Sequence, residues 1–203
     1  YKYQMYYAPL LYAVSTLNWV LYKDFGQLFE WTKSGITKQM KTTQTKELII
    51  LILSKIAYLS VFIGLPLWSG YSIGMILLGF VIMHAATGLI LTFIFQMAHI
   101  VNEVEHPLDS EMNVTTNFAV HQLSTTSNFA TNNKLLTFFS GGLNFQVEHH
   151  LFPGICHVHY PRISKIVKET AKEYGVKYHE HDTFIEALRS HMLYLKKLGT
   201  TPA

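Results

Sequence analysis

The chain has 203 residues, of which 49% are hydrophobic and only 14% charged, with a formal net charge of +3. This length favours a single domain, the weak basic bias argues against a nucleic-acid-binding protein, and a single cysteine, Cys156, excludes an intrachain disulfide. A mean hydropathy of +0.19 is high for a soluble domain and low for a chain wholly inside a membrane. The composition therefore predicts membrane helices together with a sizeable polar part.

The first predicted element is the apolar, aromatic segment from Tyr6 to Tyr22. Its length of about 17 residues is at the lower limit for a membrane span. Its tyrosine and tryptophan content suits a membrane interface, and Lys23 and Asp24 follow it directly. We predict an interfacial or partly embedded helix here, with a third transmembrane helix as the alternative.

Two later segments are long enough to cross a bilayer, Leu48 to Trp68 and Ile73 to Ala98. A span needs about 20 mostly apolar residues, and the short connection at 69–72 is uncharged. We therefore predict a transmembrane hairpin over residues 48–98. Lys55 lies inside the first span, so either its side chain reaches back toward the membrane surface or the span begins later.

Charge before the hairpin predicts its orientation. Four lysines occur there without an intervening acidic residue: Lys33, Lys38, Lys41 and Lys46. The positive-inside rule places residues 1–47 on the cytosolic side. Two spans return the chain to that side, so residues 99–203 are also expected to be cytosolic, and with them any metal site.

The most informative stretch runs from Gly141 to Pro153 and contains Gln146, His149 and His150. If the stretch is helical, these three residues stand at positions i, i+3 and i+4, on one face. Two imidazoles and an amide projecting together suit a borderline transition metal, which binds neutral histidine nitrogen readily. The pattern therefore predicts a metal site.

This stretch resembles the third histidine box, Q-x-x-H-H, of the membrane fatty-acid desaturases. The resemblance is to the front-end (delta-5/delta-6, linoleoyl-CoA desaturase-like) subgroup, in which glutamine replaces the first histidine. The run from Phe95 to Val101 is similar to a Gln-Met-x-His-Ile-Val stretch of that subgroup, which implies that His99 is also a metal ligand, and Gln122 matches the subgroup near the site. The implied fold is an all-α integral membrane protein. It has two transmembrane helices, an interfacial helix and a cytosolic helical cap that carries the third histidine box.

The resemblance implies an enzyme that uses O2 to introduce a cis double bond into a long-chain acyl-CoA or acyl lipid, in unsaturated fatty acid biosynthesis. A non-haem centre of two iron ions would supply the oxidant, with His99, His149 and His150 as ligands and Gln146 as a direct or water-mediated one. Electrons would come from a b-type cytochrome or a ferredoxin, and the other partners would be membrane lipids. The alternatives are a related di-iron lipid hydroxylase or sphingolipid desaturase and, more remotely, a non-enzymatic membrane anchor or haem-binding scaffold.

One departure from the family pattern concerns the number of boxes. The family has two earlier boxes, H-x-x-x-H and H-x-x-H-H, and this chain has neither. It also starts at Tyr1, without a methionine. We therefore expect residues 1–203 to be the C-terminal part of one desaturase domain, with the other boxes before Tyr1. We expect the chain by itself not to desaturate a substrate.

Two amphipathic helices are predicted near the C-terminus. One runs from Pro161 to Tyr174, and the residues expected on its apolar face are Ile163, Ile166, Val167, Ala171 and Tyr174. The other starts at a capping-box pair, Thr183 and Glu186, and the residues of its expected apolar stripe are Ile185, Leu188, Met192 and Leu195. Both faces are expected to serve packing only.

The remaining histidines are expected to lie outside the metal site. His84 is 15 residues before His99, about 22 Å along a helix, so we predict a neutral histidine that bonds to a neighbouring helix. His179, His181 and His191 are expected to be solvated, and His106 to be a loop residue without a partner.

Overall fold

The computed structural model describes residues 2–105 and 117–200, so the expectation for His106 lies outside the described residues. The chain divides into two compact units. We call Pro9–Ile90 the hairpin unit, and Tyr1–Ala8 together with Leu91–Ala203 the box unit.

The first half of the chain is helical. Its helices are α1 (Gln4–Asn18), α2 (Asp24–Lys33), α3 (Ile36–Gln39), α4 (Gln44–Leu59), α5 (Leu65–Trp68) and α6 (Ile73–His99). Two π-helical segments, Trp19–Lys23 and Ser60–Gly64, join α1 to α2 and α4 to α5 with helical backbone throughout. Two helices in the described part of the chain are long and apolar enough to cross a membrane, Gln44–Trp68 and Ile73–His99. The predicted hairpin helices are confirmed, and the first begins earlier than expected.

His84 of α6 is bonded to both neighbouring helices of the hairpin unit. Thr16 Oγ1 lies 3.0 Å from His84 Nδ1, and Tyr58 Oη lies 2.8 Å from His84 Nε2. These bonds satisfy both ring nitrogens of a histidine inside an apolar helix, where an unpaired polar group is costly. The prediction of a histidine bonded to a neighbouring helix is confirmed.

Helices α1 and α6 also approach each other closely at Gly88. A Cβ atom at this position would lie 2.5 Å from the carbonyl oxygen of Tyr12 and 2.8 Å from that of Ala13. The contacts at Gly88 and His84 are both in the middle part of α6, so α1 packs along that helix. However, α1 is not among the candidate spans of the described residues, and its interfacial placement stays a prediction.

Lys55 in α4 forms an ion pair with Asp24, the first residue of α2. The lysine side chain is 20% exposed and the aspartate side chain 42%. A carboxylate partner inside the hairpin unit was anticipated by neither explanation that we considered for this lysine.

The box unit contains short helices and two short strands. In chain order they are α7 (Phe118–Thr125), β1 (Ser127–Phe129), α8 (Lys134–Phe139), α9 (Gln146–Leu151), α10 (Tyr160–Glu173), β2 (His179–His181) and α11 (Phe184–Thr200). Strands β1 and β2 pair in parallel, with Ser127 opposite His179 and Phe129 opposite His181. The all-α prediction was therefore wrong in this detail. Strands of three residues are too short to show the alternating pattern that would reveal them.

Two apolar clusters fix α9 and the end of α6 within the box unit. The buried members of the first are Ile94, Met97, Ala98, Phe129, Ala130 and Ala187. Those of the second are Leu123, Val147, Val167 and Ala171. The first cluster joins the last turns of α6 to β1 and α11, and the second holds α9 between α7 and α10. The core therefore positions the elements that carry the predicted ligands.

Both amphipathic helices form, but their buried faces are narrower than predicted. The capping box at the start of α11 is confirmed, since Glu186 N donates to Thr183 Oγ1 and Thr183 N donates to a Glu186 carboxylate oxygen, each over 3.1 Å. Three residues assigned to the apolar faces are instead exposed: Ile166 (64%), Tyr174 (74%) and Ile185 (75%). Ile166 lies beside the buried row rather than on it, Tyr174 follows the last residue of its helix, and Ile185 lies in a first turn.

Candidate functional site

Helix α9 presents the glutamine and the two adjacent histidines as the spacing predicts. It begins at Gln146, which is 2% exposed, and its backbone bonds include His149 N to Phe145 O at 3.0 Å. The preceding loop needs glycine at Gly142, where φ is +77° and a Cβ atom would lie 2.7 Å from the Cβ of His157. Any other residue there would be strained in its backbone and would collide with this neighbour.

The end of α6 brings His99 to the same place. The His99 and His150 ring centroids are 4.9 Å apart, and those of His149 and His150 are 5.7 Å apart. His99 Nε2 lies 3.5 Å from Gln146 Nε2. The structure thus brings His99, Gln146 and His150 together within the box unit, with His149 next to His150, although 47 residues separate His99 from Gln146 in sequence.

The two adjacent histidines have polar partners on neighbouring helices. His150 Nδ1 lies 3.0 Å from Gln122 Oε1 in α7, and His149 Nδ1 lies 3.3 Å from Tyr160 Oη in α10. Histidines that bind metals usually make such a bond with the ring nitrogen that does not bind the metal. The contacts at Nδ1 leave the Nε2 atom of each ring as the candidate donor atom.

The environment keeps His150 uncharged. Burial, together with the nearby His99 and His149 rings, lowers the pKa of His150 to about 4. At neutral pH the ring is therefore a neutral imidazole, which is the form that binds a metal ion.

A buried polar network supports helix α9, which carries three of the predicted ligands. Asn128 of β1 donates to one oxygen of Glu148 over 2.7 Å, and Tyr178 Oη donates to the other over 2.9 Å. Asn128 Oδ1 also accepts from the backbone N–H of Val147 over 2.9 Å. Glu148 is fully buried, and burial raises the pKa of its carboxyl group although both hydrogen bonds oppose the change. Neither Asn128 nor Tyr178 could be predicted from the sequence, because neither lies in a recognisable motif.

The stretch that follows His99 is anchored to α11. His191 is fully buried, and its Nδ1 donates to the backbone oxygen of Ile100 over 2.7 Å. The backbone N–H of Asn102 donates to Ser190 Oγ over 3.2 Å. The prediction that His191 is solvated was therefore wrong, because it reaches a backbone carbonyl 91 residues earlier in the chain. His179 and His181 are half-buried rather than solvated.

The four predicted ligands offer atoms that suit a metal ion, but they are too few to form a complete ligand set. Gln146 Oε1 is buried and has no hydrogen-bond partner among the described residues, an arrangement that a cation or its bound water would satisfy. Yet no group of three or more His, Cys, Asp or Glu side chains within residues 2–105 and 117–200 is arranged to hold a metal ion. The four residues therefore fit a metal as contributors to a ligand set that they do not complete.

Comparison with known proteins identifies the family. The profile of the family described as fatty acid desaturase matches residues 2–182. The chain is 35% identical over 201 residues to the sn-1 linoleoyl-lipid 6-desaturase of Synechocystis sp., an alignment that covers 98% of this chain and 55% of that protein. It is 39% identical over 200 residues to the acyl-lipid (8-3)-desaturase of Physcomitrium patens, covering 98% of this chain and 41% of that protein.

A third relative is also a fatty acid desaturase by name. Identity to the Delta(5) fatty acid desaturase A of Dictyostelium discoideum is 35% over 207 residues, with 99% of this chain and 44% of that protein covered. The chain thus spans about half the length of the curated relatives it matches. No solved structure shows a significant match. With a family profile that extends over most of its length, the chain belongs to the fatty acid desaturase family.

Proposed function

We propose that this chain forms part of the non-haem di-iron centre of an enzyme that uses O2 to introduce a cis double bond into a long-chain fatty acyl substrate. The observation that carries the proposal is the approach of His99 to α9 in a chain of this family. His99, His149 and His150 bind iron, and Gln146 binds it directly or through water. Bound iron supplies the oxidising power that no side chain has toward an unactivated methylene group.

The residues of this chain present nitrogen donors and hold them in place. His150 is kept neutral, and its Nδ1 atom is hydrogen-bonded to Gln122. The Nδ1 atom of His149 is hydrogen-bonded to Tyr160. Because the described residues do not complete a ligand set, we propose that the other ligands come from further parts of the protein. These would correspond to the two other histidine boxes of the family.

The names of the relatives favour an acyl lipid over an acyl-CoA as the substrate. Two of them are named as desaturases of linoleoyl lipid or acyl lipid. We propose that the new double bond forms between an existing double bond and the carboxyl end of the chain. A site on the cytosolic side of the membrane would let the acyl chain of a membrane lipid meet a soluble electron donor, a b-type cytochrome or a ferredoxin.

Substitution of one ligand tests the proposal. In the intact protein, His149→Ala should lower the bound iron, measured by mass spectrometry of the metal, and should abolish formation of the unsaturated product. The matched control is His159→Ala, which removes an exposed histidine outside the group and should leave both quantities unchanged. Gas chromatography with mass spectrometry of the acyl chains distinguishes a new double bond from a hydroxyl group. Normal iron content and full activity in His149→Ala would remove this residue from the site.

A further inference from the structure

Gln122 contacts His150 in a way that specifies which ring nitrogen carries the proton. Gln122 Oε1 lies 3.0 Å from His150 Nδ1. A carboxamide oxygen accepts hydrogen bonds and cannot donate them, so the bond requires a proton on Nδ1. In a neutral imidazole the other nitrogen, Nε2, then carries a lone pair and no proton.

The neighbouring histidine is held differently. His149 Nδ1 lies 3.3 Å from Tyr160 Oη, and a phenolic hydroxyl group both donates and accepts. This contact is compatible with either neutral tautomer of His149. The two adjacent histidines of α9 therefore differ, since the partner of His150 selects one tautomer and that of His149 does not.

The position of Gln122 is set by the packing of α7. Asn117 caps the start of that helix by accepting from the backbone N–H of Ala119 over 2.9 Å. Leu123, the residue after Gln122, is buried in the same cluster as Val147 of α9. Because both helices are anchored in one cluster, the amide oxygen is held where the His150 ring lies.

We infer that Gln122 is a positioning residue, which holds His150 as the neutral Nδ1–H tautomer so that Nε2 presents its lone pair to a metal ion. Hydrogen bonds of this kind fix the ring orientation and the tautomer of histidine ligands in general. The metal role of Gln122 rests on the proposed function, whereas its effect on the tautomer is independent of any metal.

The first test measures the tautomer without metal. The full chain, labelled with ¹⁵N-histidine and free of metal in detergent above pH 7, should show a protonated Nδ1 and an unprotonated Nε2 for His150. The signals are assigned by their loss in His150→Gln. Gln122→Met, which keeps the side-chain length and removes the acceptor, should give a mixture of tautomers. Gln122→Glu, which keeps an acceptor, should restore the Nδ1–H form.

A control on the same helix separates this effect from damage to α7. Val120→Gln changes an exposed side chain and should leave the His150 signals as they are in the unmodified chain. The inference is overturned if His150 carries its proton on Nε2 in the unmodified chain, or if Gln122→Met leaves the tautomer unchanged. Either result would leave His150 in the proposed ligand set.

The second test measures binding of Fe(II) alone to the intact protein. Gln122→Met should weaken binding by about 10- to 100-fold, the range found when partners of ligand histidines are removed, while Gln122→Glu should bind nearly as tightly as the unmodified protein. If the tautomer responds to Gln122→Met but the Fe(II) affinity does not, the metal role of Gln122 is overturned. Loss of iron in His149→Ala would still support the proposed function after that result, so failure of the inference and failure of the proposed function are distinguishable.

Discussion

The side chain of Asn128, in strand β1, links the two-stranded sheet to helix α9. It contacts Glu148 and the backbone of Val147 in α9, and it also donates to Tyr178 Oη over 2.6 Å. Glu148 and Asn128 are fully buried. The polar atoms of both side chains therefore need hydrogen-bond partners within the protein. The carboxylate of Glu148, adjacent to the proposed ligand His149, thus has a structural role that explains its burial.

Removal of this link should destabilise the box unit. Asn128→Leu leaves the Val147 N–H and one Glu148 oxygen without their partner, and each buried polar group left unsatisfied costs about 1–3 kcal/mol. Tyr178→Phe removes only the donor to the other oxygen, so its effect should be smaller. We expect both variants to unfold at lower temperature in detergent, in that order, by circular dichroism. Equal unfolding temperatures for Asn128→Leu and the unmodified chain would contradict the role of the network.

The buried His191 should make the chain sensitive to acid. Burial lowers the pKa of His191 in the folded chain, while the unfolded chain keeps the ordinary value of about 6.5. Below that value the unfolded chain binds a proton that the folded chain does not, so the free energy of unfolding falls as the pH drops from about 7 toward the lowered pKa. His191→Gln should reduce the loss of thermal stability between about pH 7.5 and 5.5. The matched control, His159→Gln at an exposed position, should leave this loss of thermal stability unchanged. Equal acid sensitivity in both variants would refute the prediction.

At the scale of elements, the turn into α9 depends on Gly142 more than on its neighbour Gly141. Both residues have positive φ, +77° and +60°, but only at Gly142 would a Cβ atom meet another side chain, that of His157. Gly141→Ala should therefore cost backbone strain alone, about 1–2 kcal/mol, whereas Gly142→Ala adds a steric clash. We expect Gly142→Ala to lower the unfolding temperature more than Gly141→Ala and to reduce iron binding in the intact protein. The reverse order would show that the turn does not depend on this close approach.

The sequence predicted an element well where its residues form a local pattern, either a long apolar run or a spacing that places residues on one helix face. The apolar runs identified the two long helices, and the spacing of Gln146, His149 and His150 identified the shared face of α9. The approach of His99 to α9 was implied by the resemblance to the family, since residues 47 positions apart carry no local signal. Asn128 and Tyr178 could not be found, because each is a single polar residue whose partner is distant in sequence. His191 was wrongly predicted to be solvated, because the sequence of an amphipathic helix does not show whether one histidine lies on the exposed or the buried face.

At the scale of the whole molecule, the distribution of lysines predicts the topology. We expect residues 33–46 and the region after His99 to be cytosolic, and 69–71 to be on the opposite side of the membrane. In a Cys156→Ser background, a cysteine introduced at Lys172 should react with a membrane-impermeant reagent from the cytosolic side. One at exposed Ser69 should react from the far side. Labelling of both positions from one side would contradict the hairpin topology.

The ion pair between Lys55 and Asp24 also bears on how the chain enters the membrane during synthesis. A lysine near the middle of an inserting helix costs about 2.5–3.5 kcal/mol, and Lys55 lies within the helix Gln44–Trp68. Asp24 precedes it by 31 residues, so the ribosome has made the acidic partner before the lysine emerges. The nascent chain therefore already contains the group that neutralises the charge when this segment reaches the bilayer. We therefore expect insertion of the first span to be favoured by the presence of α2.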